Sequence, residues 1–196
     1  AGGGHDAAVL EGDFTGMTTS DLTPWADLST GGSQILTNNN SGVGSNQNFA
    51  ITLDRVLGVD TGHTIASGES YNMSFMWRDA ANWDAPDTVQ LVLFYTADNT
   101  IAGTATDIAT LNSGSRATTG AWETEAASGV ALADGGAVGK TLFARLESTG
   151  LQGEFSRIDN VFVEVVRPER DAGDLHGHGV GVGIAGVGFA ADEVRR

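Results

Sequence analysis

The richest run of functional groups in this chain is Arg78-Asp79-Ala80-Ala81-Asn82-Trp83-Asp84-Ala85-Pro86-Asp87. An indole stands there among an amide, carboxylates and a guanidinium. That mixture suits a sugar. The aromatic face lies against the apolar face of a pyranose, and the polar groups take its hydroxyls. Trp83, Arg78, Asn82 and Asp84 are therefore the candidate ligand-binding residues. A plainer arrangement fits the same run, in which Trp83 folds back onto the edge of the domain.

Other chemistry is less well supported. A glycosidase needs two carboxylates at a set separation across a cleft. Glu123 and Glu125 alternate and would share one side of a strand, but nothing near them in sequence singles out a proton donor. No His is placed for a Ser-His-Asp arrangement. His176-Gly177-His178 has a metal-binding spacing without a third ligand, and His5 and His63 read as exposed. The Gly-rich end lacks the strand–turn–helix setting of a phosphate loop.

Composition narrows the classes further. The chain has 196 residues, no Cys, 28 Gly and a net charge of −15, and Lys140 is its only lysine. A disulfide framework and a catalytic thiol are excluded. The negative surface would repel nucleic acid and anionic membranes. No apolar run reaches the ~20 residues of a membrane-spanning helix. One domain of this length buries about 70% of its unfolded surface, enough for a core without a metal.

The elements that would carry these groups are strands. Tyr71, Met73, Phe75 and Trp77 alternate with Asn72, Ser74 and Met76. Val89, Leu91, Leu93 and Tyr95 alternate with Gln90, Val92 and Phe94. Both faces of that second run are apolar, which predicts a strand covered on both sides. Gln90, Val92 and Phe94 would then line a concave sheet face or pack under a loop. Leu142, Ala144 and Leu146 alternate with Phe143, Arg145 and Glu147. Val161, Val163 and Val165 alternate with Phe162 and Glu164, and Phe49, Ile51 and Leu53 with Ala50 and Thr52. Asn38 to Gly42, Asp60-Thr61-Gly62, Ala97 to Thr100 and Asp134-Gly135-Gly136 carry turn chemistry. No segment of the body has a 3.6-residue period. The expectation is an all-β antiparallel sandwich spanning residues 9–166, with a flexible leader at 1–8 and a Gly-rich tail at 167–196.

The order of the pieces resembles the carbohydrate-binding modules of families 4, 9 and 22, with their galactose-binding-like jelly roll. Glu11-Gly12-Asp13-Phe14-Thr15 followed by Trp25 matches their first-strand motif. Tyr71-Asn72-Met73-Ser74-Phe75, Thr119-Gly120-Ala121-Trp122-Glu123-Thr124 and Ile158-Asp159-Asn160-Val161 match later ones. The resemblance implies that Trp25 and Trp122 pack in the core, as the phase of Trp77 with Tyr71 and Phe75 also places Trp77. It implies a structural calcium between the first and last strands. The family's acidic residue after Phe is Thr15 here, so Asp13 and Asp159 are the oxygen ligands left. Alternatively, both carboxylates bond backbone amides in turns.

The tail is similar to the ends of bacterial surface proteins sorted by exosortase, the PEP-CTERM type. Pro168-Glu169 opens it, Val180 to Ala191 is apolar and Arg195-Arg196 closes it. Arg170 stands where that signal has Pro, and Asp171, Asp174, His176 and His178 interrupt the apolar stretch. Either the signal is degenerate or the reading frame has slipped. These resemblances imply a secreted or cell-surface, non-catalytic module whose partner is a polysaccharide or cell-surface glycan. The alternatives are a structural surface protein without a small ligand and, more distantly, a glycan-active enzyme of jelly-roll fold.

Overall fold

The computed structural model describes residues 7–12, 14, 17–18, 21–29, 36–38, 48–52, 56–79, 83, 86–115, 120–131, 135–148 and 155–167. Its described strands are β1 (Ala7–Gly12), β2 (Ala26–Asp27), β3 (Leu36–Asn38), β4 (Asn48–Thr52), β5 (Val56–Thr64), β6 (Ser70–Asp79), β7 (Val89–Thr96), β8 (Ala105–Asn112), β9 (Glu123–Ala131), β10 (Thr141–Ser148) and β11 (Phe155–Val166). Among the described residues there is no α-helix, only a 3-10 turn at Gly135–Ala137.

Two antiparallel sheets face each other. One runs β3-β4-β11-β6-β9, with β1 also paired to β11. The other runs β2-β5-β10-β7-β8. The result is an all-β sandwich of the jelly-roll type. Alternation explains which side of each strand is inside. On β6, Tyr71, Met73, Phe75 and Trp77 are buried while Asn72, Ser74, Met76 and Arg78 are half-buried on the outer face. β7 is interior to its sheet and buried on both faces, as its composition predicts. Its inner face joins the core through Val89, Leu91, Leu93 and Tyr95. On its outer face Phe94 packs against Phe143 of β10, ring centroids 5.4 Å apart.

β11 organises the six-stranded sheet. Phe155 to Ile158 pair with β4, and Val161 to Val165 pair with β1. A register shift against β6 between Asp159 and Phe162 marks the handover. Asn160 there has a φ of 48°, a left-handed conformation that Asn tolerates better than most residues.

One sequence expectation fails on local chemistry. Asp60-Thr61-Gly62 is not a turn between strands but an irregularity inside β5, opposite Thr141 and Phe143. The Asp60 carboxylate accepts from the Gly62 amide at 2.8 Å and Gly62 has a φ of 69°. Those contacts would make a turn in a loop. Here the flanking residues stay paired to β10, so the strand bulges and continues.

Candidate functional site

Trp83 does not present its indole to solvent. It is 2% exposed and lies 6.1 Å from Trp77, centroid to centroid, within the core. The chain has taken the fold-back arrangement. On β6, Trp77 and Arg78 point to opposite faces of the sheet, and the Trp83 indole packs against Trp77 on the inner side, where burial of a large aromatic is favoured. Arg78 stays on the outer face, with its guanidinium 5.2 Å from the centroid of Trp122. Trp83 and Arg78 therefore cannot hold one ligand between them in this arrangement. Asn82 and Asp84 lie outside the described residues.

The remaining aromatic expectations divide. Trp25 is core, 5% exposed and 5.5 Å from Phe14, and Trp77 is fully buried. Trp122 is not core. It is half-buried on the outer face, because it stands one register step before Glu123, which pairs with inward-facing Trp77.

For calcium, Asp159 is fully buried and its Oδ1 accepts the Asn160 amide at 2.8 Å. Asp13 lies outside the described residues. No group of three or more acidic, His or Cys side chains gathers among the described residues. Of the two carboxylates expected to hold calcium, the described residues thus include Asp159 alone, and backbone carbonyls would have to supply most of the six to eight oxygens that the ion takes.

His63 is not an exposed turn residue either. Its side chain is 11% exposed, with Nε2 2.8 Å from Glu69 Oε2. The same carboxylate oxygen accepts the Ala66 amide at 2.9 Å and lies 3.5 Å from the Tyr71 hydroxyl, while Oε1 is 3.5 Å from Arg167 Nε. Burial works against ionisation of Glu69, but the Ala66 amide, His63 and Arg167 outweigh it and hold the carboxyl below the ordinary glutamate value. Burial first, then the Glu69 charge, pushes the Tyr71 phenol well up. The cluster ties β5, the entry to β6 and the exit of β11 together. His5, His176, His178 and all of 168–196 lie outside the described residues. Of the other candidates, Glu125 Oε1 accepts the Trp77 indole N–H at 3.0 Å, a contact that fastens β9 to β6.

The cleft of interest is on the outer face of the five-stranded sheet. It holds about 390 Å³ and is lined by Asp27, Leu28, Val56, Phe94, Ile101 and Arg145, among others. Register assembles it. Arg145 on β10 stands opposite Gly58 on β5 and Val92 on β7. Gly58 leaves a gap that Leu28 and Ile101 fill from above. A Cβ there would run into Leu28 Cδ1 and come within 3.2 Å of Ile101 Cδ1. Leu28 is held by its amide on Val56 O at 2.8 Å. The loop carrying Ile101 is fastened by Thr96 Oγ1 on Thr100 O at 2.9 Å and by Lys140 Nζ on Ala97 O at 2.7 Å.

Arg145 supplies the polar ridge. Nη1 and Nη2 donate to the two oxygens of Asp107 at 2.6 and 2.9 Å, and Nε donates to Glu147. Burial alone would weaken the guanidinium, but Asp107 and then Glu147 outweigh it and raise its pKa. Its carbon sits 5.0 Å from the centroid of Phe94. Those three bonds use three of the five N–H donors of a guanidinium, which leaves two for a ligand. The cleft thus offers apolar walls beside fixed donors and acceptors, and its volume falls in the range of about 300–1,000 Å³ typical of small-molecule sites. The sequence carried part of this signal in the alternation of Phe143, Arg145 and Glu147 with Leu142, Ala144 and Leu146. It did not carry the register that sets Arg145 beside Gly58 and under Ile101.

No protein-family model matches the sequence, and no curated protein matches it either. Solved structures do. The CBM22-1 xylan-binding domain of Paenibacillus barcinonensis Xyn10C superposes with a TM-score of 0.58 at 15% identity, over 85% of this chain and 99% of that one. The chain shares its fold. A cyclase from Fischerella sp. TAU gives a TM-score of 0.61 at 11% identity, over 85% and 100%. The CBM22-1–GH10 portion of Clostridium thermocellum endo-1,4-β-D-xylanase 10B, complexed with xylohexaose, gives 0.55 at 16% identity over 81% of this chain, which spans only 28% of that structure. One sandwich thus serves a binding module and a cyclase, and identities this low speak for architecture.

Proposed function

We propose that the chain is a non-catalytic carbohydrate-binding module of a secreted or cell-surface protein, and that it holds a polysaccharide in the cleft over β5, β10 and β7. The observation that carries this reading is the lining of that cleft. Leu28, Ile101 and Phe94 supply apolar surface, while Asp27, Ser29, Arg145 and Glu147 supply directional polar groups around it. A sugar ring has the same division between apolar faces and a polar rim. Binding without turnover is supported by the carboxylates of the cleft wall. Asp27 accepts the Ser29 amide and Glu147 accepts from Arg145, whereas glycoside hydrolysis needs one carboxyl free to donate a proton and a second free to act as base or nucleophile.

The fold shared with xylan-binding modules makes xylan the first polysaccharide to try. The test is affinity electrophoresis of the whole chain through gels containing xylan or other neutral glycans. Calcium and chelator arms would check the metal expected at Asp13 and Asp159. The expected result is retardation that weakens about tenfold in Glu147→Gln, the scale of one lost charge-assisted hydrogen bond. Migration unchanged on every neutral glycan would defeat this reading and favour the structural surface protein.

A further inference from the structure

The outer face of the six-stranded sheet, on the other side of the molecule from the cleft, holds a pocket of about 320 Å³ lined by Glu11, Gly12, Asn160, Val161 and Phe162. Strand register builds it. Glu11 on β1 and Phe162 on β11 are direct partners, and Phe162 also stands opposite Ser74 on β6. All three alternate with core residues such as Leu10, Val163 and Met73, so their side chains lie on the outer face. Between the pairs Asp159–Met76 and Phe162–Ser74, β11 has Asn160 and Val161 where β6 has only Phe75. Such a bulge re-aims a side chain. Asn160 is exposed there with a φ of 48°, and its Nδ2 donates to Met76 Sδ at 3.6 Å.

The lining is rich in acceptors and poor in donors. The exposed Glu11 carboxylate has no hydrogen-bond or ion-pair partner among the described residues. Asn160 turns its amide nitrogen to Met76, which leaves Oδ1 as an acceptor. Neither Lys nor Arg is among the described lining residues. Arg157 stands about 15 Å from Phe162 along β11 at the usual rise of a strand. On the other side of Phe162, Glu164 adds a carboxylate, which accepts from Asn72 Nδ2 at 2.8 Å. Phe162 itself is half-buried and gives the pocket an aromatic wall.

We propose that this pocket is a second binding site, one that takes an amino sugar through its free ammonium group. An ammonium has three donors and no acceptor, the complement of this lining. It is drawn to a carboxylate and to the face of an aromatic ring. The net charge of −15 attracts cations from a distance as well. The ammonium would lie between Glu11 and Asn160 Oδ1, with an apolar face of the sugar beside Phe162. The volume is that of a site for a ring, not for a bare ion. The fitting ligand is a glycan with unacetylated hexosamine residues. The sugar part rests on the carbohydrate reading above, whereas the ammonium part rests on the lining alone.

The test uses the whole chain and the side-chain amide resonances of Asn160, assigned with Asn160→Asp. Glucosamine is titrated at a pH where its amine is protonated. A saturable shift is expected with glucosamine and none with glucose or N-acetylglucosamine. Glu11→Gln should weaken it at least tenfold and leave the melting temperature unchanged, because the carboxylate has no bond to lose. Phe162→Leu should weaken it about two- to fivefold, the scale of a cation–π contact at an exposed site. Added salt should weaken it too. A shift that survives Glu11→Gln, an equal shift with glucose or N-acetylglucosamine, or no saturable shift would overturn the proposal. Methylammonium binding as tightly as glucosamine would overturn the sugar assignment and leave a site for any small cation. Tighter binding of N-acetyl-lysine amide would overturn it in favour of a protein lysine. Calcium that moves the same resonances and displaces glucosamine would overturn it in favour of a metal. Glu147→Gln should leave the glucosamine response unchanged, so this site and the cleft of the five-stranded sheet fail separately.

Discussion

Replacing Trp83 by alanine is expected to cost stability before it costs affinity. The indole is 2% exposed and belongs to the core cluster with Trp77. Truncating a buried Trp to Ala removes about 3–5 kcal/mol through lost transfer free energy and the cavity left behind. For a domain of about 150–250 residues each kcal/mol lowers the melting temperature by about 2–4 °C, so the expected drop is about 6–20 °C. Trp83→Phe keeps a ring against Trp77 and should lose much less. The assay pairs a thermal melt with glycan retention measured well below the variant's transition. Retention per folded molecule should stay at the wild-type level, because the cleft lies on the outer face of the other sheet. A Trp83→Ala protein that melts like wild type yet no longer binds glycan would refute this reasoning and return the indole to the sugar.

Two further outcomes are expected. Gly58→Ala adds a methyl that meets Leu28 and Ile101 at the cleft wall. Overpacking of about 1–3 kcal/mol should exceed the ~0.4–1 kcal/mol gained from a less flexible unfolded chain. The variant should melt a few degrees lower and hold glycan less tightly; a stabilised variant with full retention would count against the wall. Glu69→Gln tests the His63–Glu69–Arg167 cluster by its pH dependence. The folded carboxyl lies below its unfolded value, so its contribution is complete above the ordinary glutamate range and is lost as pH falls through the folded value. The stability advantage of the wild type over Glu69→Gln should be steady near neutral pH and shrink in acid. An advantage that stays constant throughout would show that the charge is not what matters.

The strands with strong alternation were legible in the sequence. β6, β7, β10 and the later part of β11 follow directly from which residues repeat at every second position, since burial selects one face. β8 was not legible. Its exposed Ala105, Thr106 and Asp107 blur the pattern, and a register shift opposite Leu93 and Phe94 breaks its phase. The bulge in β5 has the sequence of a turn, because Asp60 and Gly62 make the same local contacts in either setting. The candidate site was harder still. Trp83 and Arg78 are close in sequence, yet Trp83 lies in the core and Arg78 on an outer face. Arg145, Gly58 and Ile101 are far apart in sequence and meet only through pairing and a loop. Local composition identified residue types suited to sugars. Which of them share a surface is decided by long-range register, which no short window contains.

The pairing of β1 with β11 has a mechanical consequence. Ala7 lies opposite Val165 and Gly12 opposite Val161, so the outer ends of both strands leave the sandwich at one corner. Tension between those ends would load the antiparallel ladder one residue pair at a time, as a zipper is loaded, instead of shearing all its bonds together. β1 should peel away at low force and close again when the load is released. β11 stays fastened along its other edge to β6. A module tethered through both ends would therefore lengthen by one strand under load and keep the five-stranded sheet and its outer cleft intact.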